Sequence, residues 1–364
     1  MKSFYKDKTV LVTGATGFKG SWLSIWLRIM GANVVGVSLD VPSTPSNFDV
    51  SRMSDSIEDI RLDIRDLERL KAAIQEFKPD IIFHLAAQAL VKQSYLSPVE
   101  TITTNAIGSM HVLEAVRQYD NQLSVVMITS DKAYDNVEWV WGYRETDALG
   151  GKDIYSASKG MAELAIKGYL ESFYRNQDNI RIAVARAGNV IGGGDWANDR
   201  IVPDCMRCWS RGDVVEIRSP ASTRPWQHVL EPLSGYLQLA QELGNSPELH
   251  GEAFNFGPPS SQDHTVSELI DEMAIHWKNI RWKDVSDRNQ EFHEAGLLKL
   301  NCDKAVRLLE WKPAMSFQET VKMTVSWYKE FYQGNPDSML NYCKQQIAEY
   351  DDVALKKGIN WAND

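Results

Sequence analysis

The chain has 364 residues, 43% of them hydrophobic and 24% charged, proportions ordinary for a globular protein long enough for two domains or one large α/β domain with a smaller lobe. A formal net charge of -10 excludes general binding to nucleic acid or to an anionic membrane, while leaving room for a local basic pocket around a phosphate. Four cysteines make no disulfide framework in so long a chain, and no stretch has the uncharged length of a membrane span.

The first predicted strand, KTVLVTG, runs directly into glycines. It lacks the longer apolar region and cleavage site of a secretory signal, so the expected compartment is the cytosol. Gly14, Gly17 and Gly20 follow it in GxxGxxG spacing, and a helix pattern, SWLSIWLRIM, begins at Ser21. A tight turn needs positive φ, and glycine lets backbone approach a pyrophosphate closely. The helix start behind it offers free N–H groups and a positive dipole end. An ordinary glycine turn would share the spacing, but strand, glycines and helix in succession predict dinucleotide binding.

The second strand, ANVVGVSL, ends at Asp40, whose carboxylate suits ribose hydroxyls and repels a 2′-phosphate; this favours NAD over NADP. With Pro42 close behind, a turn cap is the alternative. The third strand, SIEDIRLDI, puts Asp63 and Ile64 where an adenine edge would lie. After the helix LERLKAAIQEF, the fourth strand, DIIFHLAA, leads into Leu85, Ala86 and Ala87, small enough at the alanines for a flat cofactor to pass. Next come the helix GSMHVLEAVRQY and the fifth strand, LSVVMITS. Ser130, Asp131 and Lys132 follow it, costly to bury unless partnered or functional. YSASK then places Tyr155 and Lys159 on one helical face. The phenol can act as a base if the ammonium and a cationic cofactor draw its pKa down. IRIAVARAG is the sixth strand. Near-continuous apolar strands separated by helices predict a doubly wound parallel sheet of Rossmann type.

After Asn189 the alternation fails, and glycine, tryptophan and proline thicken in IGGGDWANDR and RSPASTRPWQHV. The expected division is a nucleotide-binding domain of residues 1–188 plus approximately 222–256. A smaller substrate lobe takes 189–221 plus approximately 257–364, with amphipathic helices around TVKMTVSWYKEFY and SMLNYCKQQIAEY. Arg200, Arg218 and Arg224 in the irregular segment suit bidentate phosphate contacts, with surface salt bridges as the alternative. Trp139, Trp141 and Tyr143 either wall the pocket or pack their own loop. Cys205 and Cys208 form a lone CxxC that reads as packed thiols on a helix, His228 reads as a structural histidine, and no residue cluster predicts a metal.

The set TGATGFKG, HLAAQA, TSDKAYDN, YSASK and ARAGNVIGGGD resembles the extended short-chain dehydrogenase/reductases that act on nucleotide sugars. The resemblance implies NAD held by Gly14, Gly17, Phe18, Lys19, Gly20, Asp40, Asp63, Ile64, Leu85, Ala86, Ala87, Tyr155 and Lys159. It implies a Ser130–Tyr155–Lys159 catalytic group, with Asn189, Arg200, Arg218 and Arg224 on the sugar diphosphate. Epimerases of this family lack an acid–base pair after the serine or threonine, and its 4,6-dehydratases usually carry Asp-Glu there. Asp131-Lys132 resembles the dehydratases that replace the glutamate with lysine, which implies CDP-glucose as substrate and loss of water as the reaction. Asp131 would protonate the leaving 6-hydroxyl. Lys132 would remove the C5 proton as a neutral amine, which costs roughly 4–5 kcal/mol at neutral pH from an ordinary lysine, or would stay charged and stabilise the enolate. The family's habit implies a homodimer, built through the helix after the fourth strand and the YxxxK helix, or a tetramer. A nucleotide-sugar 4-epimerase, a dehydratase for another nucleotide and a catalytically silent NAD-binding regulator are the rival readings.

Overall fold

Val10, Leu11 and Val12 are all fully buried, although successive residues of a strand point to opposite faces of its sheet. The sheet must therefore be covered on both sides, and it is. In the computed structural model, which describes residues 1–259, 262–286 and 297–362, the strands are β1 (Thr9–Thr13), β2 (Asn33–Ser38), β3 (Glu58–Arg61), β4 (Ile81–His84), β5 (Leu123–Ile128), β6 (Ile180–Ala187) and β7 (Ala253–Phe256). They pair in parallel in the order β7-β6-β5-β4-β1-β2-β3. Val12 lies opposite Gly36 on one side and Phe83 on the other. The order reverses between β1 and β4, and a crevice opens at the carboxyl ends of strands at such a switch point.

Helix α1 (Phe18–Ile29) lies on the face of Val10, Val12 and Phe83. Helices α2 (Leu67–Phe77), α3 (Gly108–Val116) and α4 (Ile154–Tyr169) lie on the opposite face, against Leu11, Ile82, Val125 and Met127. Each buried Leu, Ile, Val or Phe contributes about 1.5–3 kcal/mol relative to exposure. The stretch between β4 and α3 is helical too, with a π-helical turn at Thr103–Ile107. Its Asn105 is buried and donates to Gln88 O at 3.0 Å and Ser158 Oγ at 2.8 Å, fixing the loop after β4 against α4.

The remaining chain builds on the α1 face. Helices α5 (Ile201–Ser210), α6 (Leu230–Asn245), α7 (Val266–His276), α8 (Phe317–Gln333) and α9 (Met339–Lys356) extend one apolar core from Val10 through Leu233 to Trp327 and Tyr350. Short strand pairs join Val190–Ile191 to Gln227–His228 and Thr223–Arg224 to His264–Thr265. Glu231 of α6 ties the far segments down. Its buried carboxylate accepts from Met315 N at 2.6 Å, Ala314 N at 2.9 Å and Tyr350 Oη at 2.8 Å.

Candidate active site

The turn after β1 adopts the predicted conformation. Gly14 has φ +73°, and a Cβ there would lie 2.8 Å from Ala86 N. At Gly20 a Cβ would stand 2.0 Å from Gly14 O. Gly17 precedes α1, and no side chain caps that helix. The first-turn N–H groups have no partner within the helix. A cradle that only glycine can form, ending on uncapped N–H groups, fits a dinucleotide pyrophosphate. Asp40 is exposed at the tip of β2, its carboxylate accepting from Val41 N at 2.7 Å. Asp63 does more locally than expected: Arg65 forks onto it at 2.6–3.0 Å and holds its carboxyl below the usual range. Ile64 is buried, whereas Leu85, Ala86 and Ala87 are half-buried.

The residues after β5 form a tight turn. Ser130 caps a single 3-10 turn, Asp131–Ala133. Its Oγ accepts from Lys132 N at 3.2 Å and donates to Asp131 Oδ1 at 2.9 Å. Asp131 is only 3% exposed, and it occupies the space left by Gly188: a Cβ there would fall 1.9 Å from Asp131 Oδ2. Lys132 is half-buried. Tyr155 and Lys159 lie in the first turns of α4, whose start is capped by Asp153, and both are buried.

Burial pushes the Tyr155 phenol up to about 12, and the Ser130 hydroxyl and the Arg200 charge draw it back. The expected fall toward neutrality is therefore not set by the protein alone, because desolvation outweighs those two neighbours. Burial also lowers Lys159, to about 8, against the opposing charge of Glu163. Lys19 is lowered to about 8 as well, by burial and then by Arg200, with Asp131 opposing. Lys19 thus shares a charge field with Asp131, Lys159 and Arg200, beyond the phosphate-loop place its sequence position suggests.

The predicted substrate residues are more scattered. Asn189 has φ +50°, and its carbonyl accepts from Gln227 N at 3.2 Å. Arg200 pairs with buried Asp195 at 2.7 Å and faces the Tyr155 neighbourhood. Arg218 lies 3.8 Å from Asp199, with its side chain 57% exposed. Arg224 donates to Thr223 O at 2.8 Å. Tyr143 stacks between Tyr134 and Trp139, at 5.1 Å centroid distance from each, so these rings pack the loop, and Trp141 is left exposed. Cys205 and Cys208 are free thiols on α5, and His228 is fully buried with its proton affinity pushed down to about 3 by burial.

Several residues at the site escaped sequence reasoning. Gly188 makes the notch for Asp131. Gln227 donates from its amide to Gly188 O at 2.9 Å and Phe256 O at 3.1 Å, which fixes that notch. Glu163 and Arg186 form a buried pair behind the turn, at 2.7 Å. Glu163 does carry a sequence signal, one helical turn after Lys159 on the same face.

Residues 11–324 match the family described as GDP-mannose 4,6 dehydratase. The chain is 48% identical over 354 residues to a CDP-glucose 4,6-dehydratase of Salmonella typhimurium, covering 96% of this chain and 98% of that one. Its fold is similar to that of a UDP-glucuronic acid 4-epimerase from Bacillus cereus solved with UDP-glucuronic acid and NAD (TM-score 0.75, 20% identity, 89% and 100% coverage). A dTDP-glucose 4,6-dehydratase from Bacillus anthracis solved with NAD is similar as well (TM-score 0.73, 20% identity, 89% and 97% coverage).

Proposed function

Because the chain belongs to the GDP-mannose 4,6 dehydratase family, we propose that it is a hydro-lyase converting CDP-glucose to CDP-4-keto-6-deoxy-D-glucose with NAD as a recycled cofactor. One observation carries the reading: the Ser130 hydroxyl bonds the buried Asp131 carboxyl and also acts on the Tyr155 phenol, so an acid for elimination and a base for oxidation meet at one hydroxyl. The near-full-length identity with the Salmonella typhimurium enzyme supports the same activity and the cytidine nucleotide.

NAD, when bound, would supply the redox chemistry, a two-electron acceptor for sugar C4 and donor for C6. Gly14, Gly17, Phe18, Lys19 and Gly20 would hold its pyrophosphate, Asp40 its adenosine ribose, and Asp63 and Ile64 its adenine side. Leu85, Ala86 and Ala87 flank its path. Lys159 holds ribose hydroxyls and favours the phenolate of Tyr155. Tyr155 removes the 4-hydroxyl proton, and Ser130 orients that hydroxyl. The 4-ketone then makes the C5 proton acidic. Lys132 removes it as Asp131 protonates the departing 6-hydroxyl, and Lys132 returns the proton to C5 when C6 takes up hydride, so the net change is loss of one water. Asn189, Arg200, Arg218 and Arg224 engage the sugar diphosphate, arginine being suited to bidentate phosphate contacts.

The division at residues 1–188 plus approximately 222–256, with the substrate lobe on 189–221 plus approximately 257–364, belongs to this reading; residues 260–261, 287–296 and 363–364 of that lobe lie outside the described residues. A cytoplasmic location, a role in bacterial O-antigen deoxyhexose synthesis and a homodimer belong to this reading as well. Met161 and Leu164 on α4 are exposed, which supports pairing of that helix with a second copy. Among the described residues no helix is long and apolar enough to cross a membrane.

The deciding experiment mixes the purified protein and NAD with CDP-, dTDP-, UDP- and GDP-glucose and reads products by mass spectrometry. Loss of one water from CDP-glucose in clear preference is the expected result. An unchanged mass with a new sugar would make it an epimerase, preference for another nucleotide would correct the substrate, and no turnover would leave a binding protein.

A further inference from the structure

Oxidation and elimination use different side chains on different elements. Tyr155 and Lys159 belong to α4, whereas Asp131 and Lys132 belong to the turn after β5. Something must hold the two in register. The residues that bracket the turn are Thr129 on one side and Tyr134 on the other, and both end on one buried ion pair. Thr129 Oγ1 donates to Glu163 Oε1 at 2.5 Å. Arg186 grips both oxygens of Glu163, through Nε at 2.7 Å and Nη2 at 2.9 Å. Its remaining Nη1 donates to Tyr134 Oη at 2.7 Å and to Glu145 O at 3.1 Å. Tyr134 Oη passes the chain on to Asn255 Oδ1 at 2.8 Å, on β7.

Glu163 and Arg186 have 3% and 4% of their side-chain surface exposed. A pair so buried is a weak source of net stability, since desolvation offsets most of its Coulomb attraction. What it supplies is direction, because a planar guanidinium has donors in a fixed fork. Here every nitrogen of that fork donates. Glu163 lies one turn beyond Lys159 on α4, and Arg186 lies two residues before Gly188, whose missing Cβ accommodates Asp131. The pair therefore touches the oxidation helix, both ends of the elimination turn and the strand that shapes the acid's seat.

We propose that the Arg186–Glu163 pair, acting through Thr129 and Tyr134, is a positioning clamp that sets the Asp131–Lys132 turn against Tyr155–Lys159 so that elimination follows oxidation. The proposal rests on the dehydratase reading above. These four residues touch neither substrate nor cofactor in this scheme. Their effect reaches the chemistry through the placement of Asp131 and Lys132, where a misplacement near 1 Å costs on the order of 100-fold.

The test uses Tyr134→Phe and Thr129→Val, which remove one anchor each without altering a charge, with Thr129→Ser as the conservative rescue. Wild-type protein with NAD and CDP-glucose is the control, and its failure to release water sinks the dehydratase reading by itself. Where the control dehydrates, each variant is mixed with substrate and the near-ultraviolet absorbance of reduced nicotinamide is followed alongside product formation and thermal melting. A loosened clamp is expected to slow elimination roughly 10- to 100-fold while oxidation persists. Reduced nicotinamide and the 4-keto hexose then accumulate beyond any modest fall in melting temperature from the lost buried hydrogen bond, and Thr129→Ser restores coupling. Oxidation and elimination falling by the same factor, or neither changing, would overturn the clamp.

Discussion

Asp131 holds its place because a neighbour lacks an atom. Its carboxyl fills the notch at Gly188, where an added Cβ would come within 1.9 Å of Oδ2 and 2.1 Å of Cγ. The backbone cannot retreat easily, since the Gln227 amide anchors Gly188 O at 2.9 Å. Gly188→Ala should therefore move the carboxyl rather than the strand. Overpacking of this kind costs about 1–3 kcal/mol, a modest drop in melting temperature. The larger effect is expected on product formation, which should fall by at least about 10-fold while NAD affinity stays the same, since the nucleotide cradle lies on other residues. Turnover assays beside calorimetric NAD binding separate the two; unchanged turnover would remove Asp131 from the chemistry. At this scale the sequence is legible where function needs a particular atom. Tyr155 and Lys159 could be proposed because four residues on a helix is a known spacing. Gly188 could not, because what it contributes is absence, and only the folded chain brings position 188 to position 131. Glu163 and Arg186 were hidden in the same way: each looks like an ordinary helix or strand charge until both are buried together.

At the scale of elements, the proposed nucleotide site is made by the strand tips. Periodicity revealed β1 to β6 because their apolar runs are short and separated by amphipathic helices. β7, with the sequence AFNF, comes soon after α6 and has only 4 residues, so it carried no signal of its own. The π-helical turn at Thr103–Ile107 was equally silent, being an i→i+5 variant of a pattern that looks like any helix. The tip of β2 was the better-marked feature. Asp40 is exposed there, so replacing it leaves the core untouched. Asp40→Asn removes the charge that would repel a 2′-phosphate and weakens acceptance from ribose hydroxyls. Hydrogen bonds to charged groups contribute about 1.5–3 kcal/mol, so NAD affinity is expected to fall roughly 10-fold or more, with NADP affinity rising relative to it. Titration calorimetry with both nucleotides measures that ratio; an unchanged ratio would return Asp40 to the role of a turn cap, consistent with its bond to Val41 N.

For the whole molecule, the core runs without a break from the sheet into the α8–α9 layer, and its buried titratable groups couple that continuity to pH. His84 bridges Thr13 Oγ1 at 2.8 Å and Ser109 Oγ at 3.0 Å, and burial lowers both His84 and His228 to about 3. An unfolded histidine titrates near 6.5, so both groups stabilise the fold fully above about 6.5 and lose that contribution as pH falls toward 3. Glu231 acts with the opposite sign. Burial raises it to about 7 despite its three donors, whereas an unfolded glutamate titrates near 4.3. Its contribution is full below about 4.3 and is lost as pH rises toward 7. Each group changes stability by about 1.4 kcal/mol per pH unit inside its window. Burial also raises Asp351 to about 6, so it acts with Glu231, and lowers His250, so it acts with the other two histidines. The three histidines outweigh the two carboxyls below about 6.5, and above it Glu231 is the one of these five groups still titrating. Melting temperature should therefore climb from pH 4 to a maximum near 6.5 and decline slightly to pH 7. Glu231→Gln, which keeps the shape but cannot ionise, should abolish that decline and steepen the rise between about 4.3 and 6.5. It also breaks the tie to Ala314, Met315 and Tyr350, so the whole curve should sit lower. A melting series across pH 4–8 on both proteins checks the change of slope, which a simple loss of packing would not produce; parallel curves would mean that Glu231 stays ionised in the fold.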